Sequence, residues 1–230
     1  MKSGARYDDH LPYRAPLMAK WANCPRNLEH SMMLVEETTV PQAALPVDLF
    51  KNHLRMGSGF SDDAVQDPVL EAYLRAALAA VEARTGKITI SRSFSLTVST
   101  WREPDTHPLP VAPVSEIVSI EVISSDGTIT FVDEASYVLR QDTDRPLISA
   151  VGSMLSSIPK DGKAKITATV GFGPDWADLP ADLAHAIMML AAHFYEHRHD
   201  TSGARQTMPF GVASLLDRFR PVRLFGGIRA

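Results

Sequence analysis

A single cysteine, Cys24, stands in 230 residues, so no internal disulfide can form and no zinc cluster of the CxxC type exists. On that composition the chain reads as one made in a reducing cytosol. Aromatic residues are also scarce, at 7%. Trp101, Tyr137, Trp176 and Tyr195 are not interleaved with Lys or Arg, as a face that stacks single-stranded nucleic acid would require, and they read as core or rim. No apolar run approaches the roughly 18 residues of a membrane span. The opening stretch MKSGARYDDHLPYRAPLMAK scatters Arg, Asp and His where a signal peptide needs an unbroken apolar run, so neither export nor membrane insertion is expected. An excess of positive charge is missing as well: the formal charge is -4, with a pI near 6.0. Nothing in the whole-chain charge calls for nucleic-acid affinity. GxSxG, P-loop and GxGxxG motifs do not occur, and GFG at 171 to 173 lacks the spacing that cradles a phosphate, which leaves it as a tight turn.

What remains is an ordinary globular composition, 45% hydrophobic and 22% charged, long enough for one large domain or two small ones. Residues 1–45 mix Pro, Asn, His and charge without a period and read as an extended arm. Met32 and Met33 offer alternative translation starts. A short amphipathic helix follows from 47 to 55, with Leu49, Phe50 and Leu54 facing inward. The first strong helix spans 68 to 85. Asp67 is its expected N-cap, Pro68 suits its first position, and Gly86 supplies the left-handed stop. Its apolar stripe is Leu70, Leu74, Ala77, Leu78 and Val81.

Beyond Lys87 the period changes to two. Phe94, Leu96 and Val98 alternate with Ser and Thr, and the alternation returns at Val118, Ile120, Val122 and at Ile166, Ala168, Val170. Asp126-Gly127 and Asp161-Gly162 supply turns. The segment predicts an antiparallel β module of five or six strands. A second strong helix runs from 180 to 199 with the stripe Leu183, Ala186, Ile187, Leu190 and Phe194, and a short amphipathic segment covers 212 to 219. The expected fold is therefore α+β: two long helices plus short ones form a scaffold (46–87 and 171–200), an antiparallel β module is inserted (88–170), an arm precedes (1–45) and a tail follows (201–230).

Candidate chemistry is sparse. In HFYEHRH, His193 and His197 lie one helical turn apart with Glu196 between them, a spacing at which two imidazoles can share a metal. This gives an alternative reading as a metal-dependent hydrolase. The Glu is misplaced for HExxH, however, and no third ligand is evident. His185 reads as a border histidine. Asp62, Asp63 and Asp67 lack calcium-loop spacing and read as a loop and a cap. A carbohydrate-binding β module rests only on the strand-rich middle. No cofactor is called for. Charge is divided unevenly: Arg205, Arg218, Arg220, Arg223 and Arg229 less Asp217 give residues 201–230 a formal +4, which leaves -8 on the other 200 residues. A basic tail on an acidic body suits docking onto an acidic partner, with Arg205, Arg218 and Arg223 as contacts, or lying near DNA, or serves solubility alone.

Four stretches in order, PVDLFKNHLRM, DPVLEAYLRAALAAVEARTGK leading into ITISRSFSLTVSTW, TVGFGPDWADLPADLAHAIMMLAAHFYEHR, and MPFGVASLLDRFR, resemble the siphophage head-tail connector (adaptor) family, in its branch with a β insertion. The first half is similar to adaptors of alphaproteobacterial gene transfer agents. The resemblance implies a homo-oligomeric ring of twelve, located in the neck of a phage-like particle and assembled in the bacterial cytoplasm. It binds the portal protein on one side and the next neck (stopper) protein on the other, and lets DNA pass without sequence-specific binding. No catalysis and no membrane are implied. It also implies that the terminal segment reaches the portal, with Val212, Leu215, Leu216, Phe219 and Arg220 as docking positions, so that the tail is expected to be separable from the folded body. Residues 1–31 exceed the family's usual start.

Overall fold

Helical and alternating apolar patterns build two separate hydrophobic cores, which the chain joins by three crossings, at residues 37–39, 85–92 and 170–173. The computed structural model describes residues 31–56, 66–199 and 208–220.

The first core is helical. Helices α1 (Val47–His53), α2 (Asp67–Thr85), α3 (Ala181–Glu196) and α4 (Phe210–Leu216) bring together Phe50, the α2 stripe of Leu70, Leu74, Ala77, Leu78 and Val81, and the α3 stripe of Leu183, Ala186, Ile187 and Leu190. Ala77, Ala186 and Ala191 are fully buried in this core, and small side chains let helix backbones approach closely. Gly86 closes α2 at φ 67°, with its N–H donating to the Glu82 carbonyl, the left-handed stop expected from sequence.

The second core lies between two antiparallel sheets. Strands β1 (Met32–Glu36), β2 (Arg92–Val98), β4 (Val114–Ile123), β5 (Ile129–Phe131) and β8 (Lys163–Val170) form a five-stranded sheet in the order β1-β2-β8-β4-β5. A smaller sheet is ordered β3-β7-β6, from β3 (Thr106–Pro108), β6 (Tyr137–Arg140) and β7 (Leu147–Ala150). Phe94, Leu96, Val98, Ile120, Ala164, Ile166 and Ala168 from the larger sheet share this core with Tyr137 and Ile148 from the smaller.

Between the cores the chain passes through 85–92 on the way out and 170–173 on the way back. Residues 87–90 of the outward segment are buried, with Ile88 in the β core and Ile90 in the helical core. The return segment is hydrogen-bonded to it: Phe172 N–H donates to the Thr89 carbonyl at 2.9 Å and Ser91 N–H to that of Gly173 at 2.8 Å. Gly171 is required here. Its φ is 140°, and a Cβ would sit 2.5 Å from the Ser91 Cα.

Arg92 fastens the junction. Its guanidinium is 2.7 Å from Glu82 of α2 and 2.6 Å from Glu36 of β1, while the Glu82 carboxylate also accepts from the Thr89 backbone and hydroxyl at 2.8 and 2.6 Å. Burial opposes the charged form of Arg92, but the bonds and charge of Glu82, then of Glu36, outweigh it and hold the pKa above its ordinary value.

Five sequence expectations need correction. Residues 32–36, grouped with the extended arm, form β1, and Val40, Ala44 and Leu45 enter the helical core. The aperiodic reading failed because β1 is an edge strand exposed on both faces, with no alternation to display. The β module at 88–170 holds seven strands rather than five or six, since the second sheet is made of segments of three or four residues. Val118 is 50% exposed, because register shifts in β4 between Val114 and Glu116 and between Ile117 and Ser119 turn it outward. Asp67 makes no cap bond. Its carboxylate lies 2.6 Å from the buried Lys51 ammonium of α1, which raises the Lys51 pKa, and Leu49 faces out at 53% exposure while Lys51 takes the inner face.

Ile187→Asp is expected to prevent folding, because a carboxylate without a partner in the middle of the α2–α3 interface costs several of the roughly 5–15 kcal/mol available; far-UV circular dichroism of the purified variant checks it. Glu82→Gln should destabilise by about 3 kcal/mol in urea unfolding, since Arg92 is left buried with half its counter-charge. Glu36→Gln, at a half-exposed position, should cost under about 1 kcal/mol.

Candidate docking surfaces

The C-terminal candidates divide by burial. Val212, Leu216 and Phe219 are buried in the helical core, and α4 packs along α3 so closely that a Cβ on Gly211 would lie 3.3 Å from the Met189 side chain. Their spacing of four and three residues is that of a helical stripe, which explains the packing. These three therefore hold the segment to its own subunit, which corrects their assignment as free docking positions and with it the expectation that the tail is separable from the body. Leu215 is partly buried, Arg220 is exposed, and Phe210, not singled out from sequence, is 88% exposed. Phe210 stands at the start of α4 two residues before Val212, off the stripe of Val212, Leu216 and Phe219, the sequence signal that marks it as outward.

Arg218 lies 2.5 Å from Asp182 of α3 and over the Phe219 ring, and Arg220 is 3.5 Å from Asp217. All four charges are substantially exposed, so these pairs are weak and exchangeable. Arg205 and Arg223 lie outside the described residues, as do Cys24, Asp62 and Asp63.

Nothing among the described residues completes a metal centre around the histidine pair. The rings of His193 and His197 sit 4.3 Å apart by centroid, with His197 Nδ1 3.0 Å from the His193 carbonyl, and Glu196 is exposed. Among the described residues no group of three His, Cys, Asp or Glu can hold a metal ion. His185 is exposed at the edge of the stripe. Trp101 donates its indole N–H to the Ser156 carbonyl at 2.7 Å, Tyr137 is buried, Trp176 packs on the helical core, and Tyr195 meets Tyr73 edge-on at 5.7 Å. A shallow cavity of about 440 Å³ beside Trp101 is lined by Ser99–Pro104 and by Met154, Leu155, Ser157 and Ile158, and brings together no cluster of titratable groups. No described helix is long and apolar enough to cross a membrane.

Further apolar surface stands at the two outer strands of the large sheet. All five residues of β1 and all three of β5 are exposed.

The division of α4 is checked by a pair of variants. Leu216→Ala should cost about 2–5 kcal/mol in urea unfolding, as expected for a large-to-small change in a filled core. Phe210→Ala should fall within about 0.5 kcal/mol of the parent, as for an unconstrained surface position.

No family model and no curated protein matches the chain. Solved structures do. A chain in the neck of an empty gene transfer agent (GTA) particle, computed with C6 symmetry, is 48% identical over 85% of this chain and 98% of its own length, with a TM-score of 0.78. One from the virion of a native gene transfer agent particle is 47% identical with a TM-score of 0.75, and one from the neck of a native particle, computed with C12 symmetry, is 45% identical with a TM-score of 0.73; coverage is the same. At that identity, across nearly the whole of each relative, the chain belongs to the family of neck (head-tail connector) proteins of gene transfer agent particles.

Proposed function

We propose that this chain is a structural adaptor: copies of it form a ring in the neck of a phage-like particle, between the portal protein and the next neck protein, around a channel through which DNA passes. The observation that carries the reading is the 48% identity over 98% of a neck chain. Two relatives come from necks computed with C6 and C12 symmetry. A ring of twelve has both symmetries, since the six-fold operations are a subset of the twelve-fold ones.

The role needs no catalytic group, and the geometry of the candidate sites fits that. Portal contact falls to the outward side of α4, where Phe210 offers an exposed aromatic anchor at the start of the helix and Arg218 and Arg220 stand exposed past its end, with Arg205 and Arg223 beyond the described residues adding positive charge. Such contacts are individually modest, but repeating them around a ring makes the attachment strong through effective concentration. The acidic body, at -8, suits a lumen that DNA slides through, because phosphate contacts to Lys and Arg are what make DNA binding tight.

Particles made without this protein should fill with DNA and fail to hold tails, as counted by electron microscopy of purified particles. Complete, transfer-competent particles formed in its absence would overturn the proposal.

A further inference from the structure

The two edges of the large sheet are unlike each other, unprotected and matched. Among the described residues β1 pairs only with β2, and β5 only with β4. Natural edge strands are usually blunted by Lys, Pro or a bulge. MMLVE and ITF carry one charge between them, and that one, Glu36, is tied to Arg92.

The ladders fix which backbone groups point outward. Ser99 N–H donates to the Ser31 carbonyl and Glu37 N–H to that of Ser93, so odd-numbered residues of β1 face β2 and Met32, Leu34 and Glu36 turn their N–H and C=O to the open edge. On β5 the bonds from Val132 to Ile120 and from Ser124 to Thr128 leave Ile129 and Phe131 with theirs turned out.

Side chains follow the same registers. One row across the sheet reads Met33, Thr97, Lys165, Glu121, Phe131. Residues directly opposite share a face. The face away from the β core is therefore polar in the middle and apolar at both ends, where Met33 is 58% and Phe131 69% exposed.

We infer that the open edge of β5 in one subunit pairs with the open edge of β1 in the next copy of this chain, so that the sheet continues from subunit to subunit around the ring. The inference rests on the adaptor reading. Three features select a second copy as the occupant. The joined edges are different strands, which makes the contact heterologous, the kind that closes into rings. Strand direction agrees: every pairing in the five-stranded sheet is antiparallel, so β1 and β5 run the same way, and a turn of about 30° per subunit in a ring of twelve leaves them parallel. The bonds also match. Continuing the row sets Phe131 opposite the neighbour's Met33, so that Phe131 N–H donates to the neighbour's Met32 carbonyl and its own carbonyl accepts from the neighbour's Leu34 N–H, the alternation a parallel ladder requires. Met33 and Phe131 then cover each other at the seam.

The test is disulfide trapping in assembled particles. In a Cys24→Ser background, Met33→Cys and Phe131→Cys are combined, with Val35→Cys and Phe131→Cys as a second pair one two-residue step away in register. Particles are purified and oxidised, and non-reducing gels should show a ladder of covalent multimers of this chain from one pair or the other, and none from any single substitution. If neither pair cross-links in particles that carry the protein, the joint is overturned and the adaptor reading stands. Dimers from a single-cysteine variant, which mark an edge meeting its own copy, also overturn it, and so does a cross-link to a different polypeptide. Absence of the parent chain from particles overturns the adaptor reading and the joint with it. Exposed positions were chosen so that the isolated variants keep the parent's circular dichroism; a pair that loses it is replaced by Ser31→Cys with Ile129→Cys, the next directly opposed positions in the same parallel register.

Discussion

The junction at Glu82, Thr89 and Arg92 is the constraint on which the rest of this structure depends. Neither core can orient the other, because apolar contact is non-directional and each core is closed within its own elements. Direction comes from the polar crossing. Glu82 near the end of α2, Thr89 in the outward segment, and Arg92 at the start of β2 meet through bonds of 2.6 to 3.0 Å, and Glu36 of β1 completes the guanidinium's set. A buried ion pair of this kind adds little net stability against an apolar substitute, but it tolerates only one geometry. It sets where the large sheet leaves the helices and therefore where both edges of that sheet point.

Separating the cores separates the working surfaces. The helical layer carries α4 with its inward stripe of Val212 and Leu216 and its outward Phe210, while the β layer carries two open edges. In the ring proposed for this chain, contacts along the particle axis and contacts around the ring would be assigned to different layers. A change in one need not repack the other. The -4 total charge conceals a similar division between an acidic body and a basic C-terminal segment, and two of that segment's arginines are already engaged with aspartates of the subunit. Because both pairs are exposed, they are exchangeable for a stronger acidic partner.

Much of the architecture was legible in the amino-acid order. The stripes of α2 and α3 follow from their period, the stop at Gly86 from left-handed backbone, and the buried faces of β2 and β8 from alternation. Four ordered stretches also carried the family resemblance that the neck structures then showed. Reading failed where local pattern carries little information. β1 is apolar on both faces, Val118 is displaced by a register shift that no period announces, and Lys51 takes a buried place reserved by rule for apolar residues because Asp67 of another helix neutralises it.

The C-terminal segment shows the boundary most clearly. An amphipathic helix over 212 to 219 is fixed by its own spacing, and so is the identity of its apolar face. Whether that face meets a partner protein or the subunit's own α3 is not, since both would bury the same side chains for the same gain per unit area. Sequence by itself determined the elements, their inner faces and the family. Tertiary structure alone decided which apolar faces are already satisfied within the subunit and which, at Phe210 and along β1 and β5, remain exposed, because satisfaction depends on what lies opposite in space and not on what lies next in the chain.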